Sequence, residues 1–174
     1  MKKNQGFSLI ELIVVIAIMA ILVGVLAPAY LRYVEKSRRS TDVSAITDIM
    51  GAAEKVASEA QYDEVIGENT IFVIEATNTA VTLNITGMLG SDTALQNKAK
   101  QAFIDIANAS GLTLKSKAFR GNAGTNSKLE GKVGKDGNVT WTGAGLFATS
   151  HKASDNDGEE WFCGYAPDFA KKIS

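Results

Sequence analysis

The chain is expected to fold as an α+β protein, with a long N-terminal α-helix packed on a small antiparallel β-sheet and one additional helix. Three observations lead there. Residues Leu12 to Leu31 form an uncharged apolar stretch of about twenty residues, and at ~1.5 Å rise per residue a helix of that length covers about 30 Å, the hydrocarbon thickness of a bilayer. An apolar repeat of helical period continues beyond it, and after Tyr62 the pattern changes to short alternating segments separated by Asn and Gly.

The first half of the long helix is apolar on every side and suits a membrane span. In its second half Ile46, Ile49, Met50, Ala53, Val56, Ala57 and Ala60 recur at intervals of three and four, which marks one face of an amphipathic helix packed on a core. An unbroken helix from about Ser8 to Gln61 is on the order of 80 Å long and makes sense only if much of it is buried in something else. Pro28 removes the backbone bond to the carbonyl of Gly24, itself a poor helix former, so a kink or a locally melted stretch is expected there.

Ile71 to Glu75 is β-branched and aromatic, and Ala80 to Thr86 alternates with Val81, Leu83 and Ile85 on one face. With Asn78 between them they form a hairpin. A second helix is expected from Asp92 to Asn108, capped by Ser91 or Asp92 and ended by Gly111, with Leu95, Ala99, Ala102, Phe103 and Ile106 on one side. Leu112 to Phe119 is a candidate strand, and Arg120 to Ser127 reads as a loop. Lys132 to Lys135 and Asn138 to Thr142 bracket Asp136-Gly137, a two-residue hairpin signal. The expected organisation is residues 1–6 as a leader, 7–31 as the membrane segment, 32–62 as its amphipathic continuation, and 63–174 as a globular domain of about 110 residues, enough for one modest core.

Composition narrows the function. A formal net charge of −1, with no basic cluster interleaved with aromatics, speaks against nucleic acid as the main partner. His151 and Cys163 are the single histidine and cysteine, so an N/S metal site would need carboxylates to complete it and a Cys-His catalytic pair has nothing local to activate it. No enzymatic activity and no cofactor are expected. One cysteine also excludes a disulfide within this chain. Asp155, Asp157 and Glu160 lie around Gly158 in an acidic turn whose oxygens suit Ca²⁺, but the full loop pattern is absent and a solvated turn is the plainer reading. Gly143 to Ala148 matches a loose dinucleotide string without the βαβ context that string requires. Asn84, Asn108 and Asn138 stand in N-x-Ser/Thr sequons. Trp161, Phe162, Tyr165 and Phe169 are expected to cover the sheet, with adhesion to a surface as the alternative.

The N-terminus carries the most specific signal. Lys2 and Lys3 lie in a short leader, followed by Gly6-Phe7-Ser8-Leu9-Ile10-Glu11 and then the apolar run, in which Glu11 is the one charge. A carboxylate at the end of a membrane span costs about 2–3 kcal/mol if unpaired and so points to a partner. A secretory signal peptide cut at Ala27-Pro28-Ala29 would have an overlong apolar core carrying an acid, and a plain anchor would leave the motif unexplained. Arg32, Lys36, Arg38 and Arg39 outnumber the leader lysines, so a bare positive-inside count opposes a cytoplasmic N-terminus; the motif outweighs it.

At these residues the chain resembles the type IV pilin family, which includes the pseudopilins of secretion and DNA-uptake machines. The resemblance implies cleavage between Gly6 and Phe7 by a prepilin peptidase, N-methylation of Phe7, and assembly through Phe7 and Glu11, whose carboxylate attracts the N-terminal amine of a neighbouring subunit. It implies that the segment between Gly24 and Pro28 can lose helicity in the filament. It further implies a single-pass precursor in the cytoplasmic membrane, lipid around its helix before assembly, and an extracellular homopolymer afterwards, with the peptidase, a platform protein and an assembly ATPase as partners. A pseudopilin of a type II secretion or competence machine is the alternative of the same fold, and a membrane-anchored binding domain that never polymerises is the alternative of another class. The lone Cys163 departs from the C-terminal disulfide of many Gram-negative pilins and fits pseudopilins and Gram-positive type IV pilins better.

Overall fold

The computed structural model describes residues 7–109, 111–124, 126–150 and 161–173. The chain divides into two compact units, one through Ser37 and one from Arg38 onward. Helix α1 (Leu9–Ala57) belongs to both and is unbroken through Gly24 and Pro28.

In the first unit the apolar side chains stand exposed all round the helix, among them Ile10, Ile13, Ile16, Leu22, Val25 and Leu31. It is the one helix among the described residues that is long and apolar enough to cross a membrane, and its most apolar stretch has no protein packed over it.

The second unit is built on the last part of α1. Ile46, Ile49, Met50, Ala53 and Val56, the stripe anticipated from spacing, are buried in the core. The helix ends at Ala57 rather than Gln61: Ser58 turns its hydroxyl back to the Lys55 carbonyl, its N–H is shared between the carbonyls of Glu54 and Lys55, and the last turn tightens. A short 3-10 turn (Ala60–Tyr62) follows, so Ala60 leaves the stripe and is exposed.

Four strands, β1 (Ile71–Ala76), β2 (Val81–Thr86), β3 (Lys128–Val133) and β4 (Val139–Gly143), form an antiparallel sheet in the order β2-β1-β3-β4. Phe72, Ile74, Ala76, Val81, Ile85, Leu129, Val133 and Trp141 point into the core, as the period of two requires. The outer face carries Glu75, Thr82, Asn84, Lys128, Glu130 and Thr142. The β1-β2 hairpin is the expected one. Strand β3 begins four residues earlier than expected, and the β3-β4 loop is not a two-residue turn: Gly134 donates to the Asn138 carbonyl and Gly137 to Gly134, leaving Lys135, Asp136 and Gly137 in the loop with Gly137 at φ 77°.

Helix α2 (Thr93–Ile106) is capped by Asp92, whose carboxylate accepts the N–H groups of Ala94 and Leu95. It ends at Ile106 with Ala107 as its C-cap, and the left-handed residue that follows is Asn108, at φ 47°, ahead of the expected Gly111. The candidate strand Leu112–Phe119 is corrected most. Residues 112–116 belong to no strand, and α3 (Lys117–Asn122) begins within the expected strand, with the Ser116 hydroxyl accepting the Phe119 N–H as its cap. The expected loop from Arg120 therefore starts as helix.

The C-terminal residues fold over one end of this core through α4 (Phe162–Tyr165) and α5 (Pro167–Ala170), and Ile173 forms a parallel bridge with Trp141 on β4. Phe162 is stacked on Phe119 with ring centroids 4.3 Å apart and lies 5.0 Å from Phe147 and 5.5 Å from Phe169. Phe162 and Phe169 are buried, while Trp161 and Tyr165 are half-buried at the margin.

Candidate functional site

The first turn of α1 combines an acid, an exposed aromatic and the start of an apolar helix. Ser8 precedes the helix, and three residues later Glu11 turns its carboxylate back to accept the Ser8 N–H at 2.9 Å. Ser-x-x-Glu is the capping-box spacing, in which the acid satisfies a backbone donor that the helix leaves orphaned, and an anion in the first turn also meets the positive end of the helix dipole. The spacing Ser8-Leu9-Ile10-Glu11 encodes this local partner for the carboxylate, beside the external one expected of Glu11. Glu11 remains exposed, and Phe7 beside it is 89% exposed, so both are open to another molecule.

Gly24 and Pro28 lie further along the same helix. No atom other than the helix itself comes within 4 Å of where a Gly24 side chain would begin, so that face is open. Pro28 supplies no N–H to the i−4 bond, so one backbone bond is missing from an otherwise regular span.

Gly6, at the expected cleavage point, lies outside the described residues, as do His151 and the calcium candidates Asp155, Asp157 and Glu160. Among the described residues no three His, Cys, Asp or Glu side chains come together as a metal site. Cys163 is buried, and its thiol donates to the Phe147 carbonyl at 3.2 Å. Burial pushes its pKa up to about 11, the reverse of what an activated nucleophile needs. The sequon residues Asn84, Asn108 and Asn138 are all exposed, and Asn84 uses its side-chain oxygen to accept the Ile85 N–H.

A residue outside the set expected from sequence ties the second unit to α1. Asp42 is 3% exposed, and its carboxylate accepts the backbone N–H groups of Lys115 and Ser116. A signal was available: an acid on the helix four residues before the buried Ile46 breaks the polar-out pattern.

Residues 1–27 match a family model described as "Prokaryotic N-terminal methylation motif". Two proteins described as "Fimbrial protein", both from Pseudomonas aeruginosa, are each 37% identical to this chain over 59 residues, which is 34% of this chain and 38% of the relative. The match thus spans well under half the length of these curated relatives. No solved structure matches the chain.

Proposed function

We propose, from the premise that this chain carries the N-terminal segment of the type IV pilin family, that it is a prepilin: a structural subunit, not an enzyme, that is anchored in a membrane and assembled into a pilus. The observation that carries this reading is an apolar helix exposed on all sides and headed by Phe7 and Glu11. Such a helix is stable in lipid or in a bundle of its own kind and nowhere in water. Residues 1–6 are the leader removed by a prepilin peptidase after Gly6, and the new amine on Phe7 becomes methylated. The precursor spans the cytoplasmic membrane once with its N-terminus in the cytoplasm.

Lipid solvates the apolar face as well as another helix would, so assembly takes its direction from close packing and from charge. The amine of an incoming Phe7 meets the Glu11 carboxylate of a neighbour, and the penalty for leaving either charge alone in low dielectric enforces axial register. The Gly24–Pro28 stretch is where α1 unwinds if bundling requires it. The platform protein and cytoplasmic ATPase act from the membrane side. A pseudopilin of a secretion or DNA-uptake machine rests on the same premise and is favoured by the lone Cys163; a filament confined to the envelope selects it.

The test is the N-terminus of the mature protein together with the state of assembly. Mass spectrometry should find N-methylated Phe7 as the first residue, and electron microscopy of material sheared from cells should show filaments containing this chain. An intact Met1, an N-terminus at Tyr30, or a processed chain that stays monomeric in the membrane overturns the reading.

A further inference from the structure

We propose that the second unit meets a second copy of this chain head to tail, the basic surface of Lys115, Lys117 and Arg120 facing the acidic surface of Glu59, Asp63, Glu64 and Glu68. The proposal rests on the polymerisation reading and adds a partner surface to it. The segment 58–70, which follows α1, holds four acids and no Lys or Arg. Tyr62, Val65 and Ile66 bury beneath it, and Leu89 donates to the Val65 carbonyl, so the strip is pinned while Asp63, Glu64 and Glu68 stay exposed. One facing cation is Lys135, 3.9 Å from Glu68 with its side chain 83% exposed; a surface pair of this kind is weak and leaves the patch acidic.

The segment 111–122 is the reverse, with three cations and no acid. Lys115, Lys117 and Arg120 are exposed, and the last two are three residues apart on α3 and share a face. The carboxylate of Asp42 fixes this segment to the part of α1 where the chain enters the unit. The acidic segment begins where α1 leaves it. From Asp42 to Ala57 the helix rises about 22 Å, so the two charged surfaces lie at opposite ends of one unit.

That arrangement selects a contact. A two-fold dimer through either surface would oppose like charges, whereas translation along α1 brings acid to base, and a repeated heterologous contact of this kind propagates as an open filament. The parallel orientation itself comes from the bundled N-terminal helices of the polymerisation reading, and the opposite charge at the two ends is matched in it.

The experiment is charge reversal in the full chain expressed with its assembly machinery. Lys117→Glu with Arg120→Glu should reduce filament yield about tenfold or more, as should Asp63→Lys with Glu64→Lys, because each opposes like charges across the contact. The chain carrying all four reversals should recover filaments, since the surfaces match again. Processed subunit in the membrane, measured beside yield, reports folding. Wild-type filaments raised from about 0.05 M to about 1 M salt should shed subunits if exposed charge holds the contact. Reversals that assemble like wild type, four reversals that fail to restore assembly, or filaments indifferent to salt overturn the interface while leaving polymerisation intact. A wild-type chain that forms no filament overturns the polymerisation reading itself.

Discussion

The carboxylate of Asp42 accepts the backbone N–H of Ser116 at 2.7 Å across 74 residues of sequence, and the Lys115 N–H reaches the same carboxylate at 2.8 Å. Asp42→Ala should therefore destabilise the chain by about 1–3 kcal/mol for each orphaned donor. Asp42→Asn keeps one acceptor oxygen but brings donors of its own and should recover part of that loss. Urea denaturation of the purified chain in detergent measures both, and an unchanged midpoint for Asp42→Ala would show that this carboxylate does not hold α3 in place.

Glu11 has two uses that substitution can separate. Glu11→Gln keeps an oxygen for the Ser8 N–H but loses the charge, while Glu11→Ala loses both. If the carboxylate serves docking, both variants are cut after Gly6 yet assemble poorly, because the peptide bond is unaltered and the target of the amine is gone. Processing on gels and filament yield after shearing give the comparison. Normal yield from Glu11→Gln would leave helix capping as the role of this residue.

Gly131 faces Trp141 across β3 and β4, and a side chain there would begin 2.7 Å from the indole ring and 2.8 Å from Val139 Cγ1. Gly131→Ala should cost about 1–3 kcal/mol through overpacking, against the small gain that alanine normally brings to a strand. The ring, which also reaches Glu54 on α1 at 3.4 Å, should be pushed outward. Tryptophan emission and the denaturation midpoint should shift together.

Cys163 links pH to stability. Its pKa rises from the ordinary 9.0 to about 11 in the fold, so the folded chain holds this proton more tightly than the unfolded one. The resulting stability is fully present below about pH 9 and is lost as pH climbs toward about 11. Cys163→Ala should flatten the fall in melting temperature over that window. At pH 8 the folded thiol should react with iodoacetamide far more slowly than the same thiol in denaturant.

The parts of the fold that were legible were those set by neighbours in sequence. The stripe Ile46, Ile49, Met50, Ala53 and Val56, the alternation Val81-Leu83-Ile85 and the cap at Asp92 each state a local preference that packing keeps. Leu112 to Phe119 failed for the opposite reason: it reads as a strand by composition, but two of its backbone donors, those of Lys115 and Ser116, are claimed by Asp42 from another element, a partner no local window contains. The early start of β3 was hidden because Gly131, a poor strand residue, is there to make room for Trp141. Within the candidate site, residue types and spacing pointed to Phe7 and Glu11, and the capping box was written in the same six residues. Asp42 was the exception, a buried acid in the amphipathic half of α1.

Ile173 on the edge of β4 and the packed rings of Phe162 and Phe169 close the second unit without a covalent tie. Closure of this kind is non-covalent packing, lost and regained with the core it belongs to. No oxidant or isomerase is needed to mend it, and a reducing environment leaves it intact.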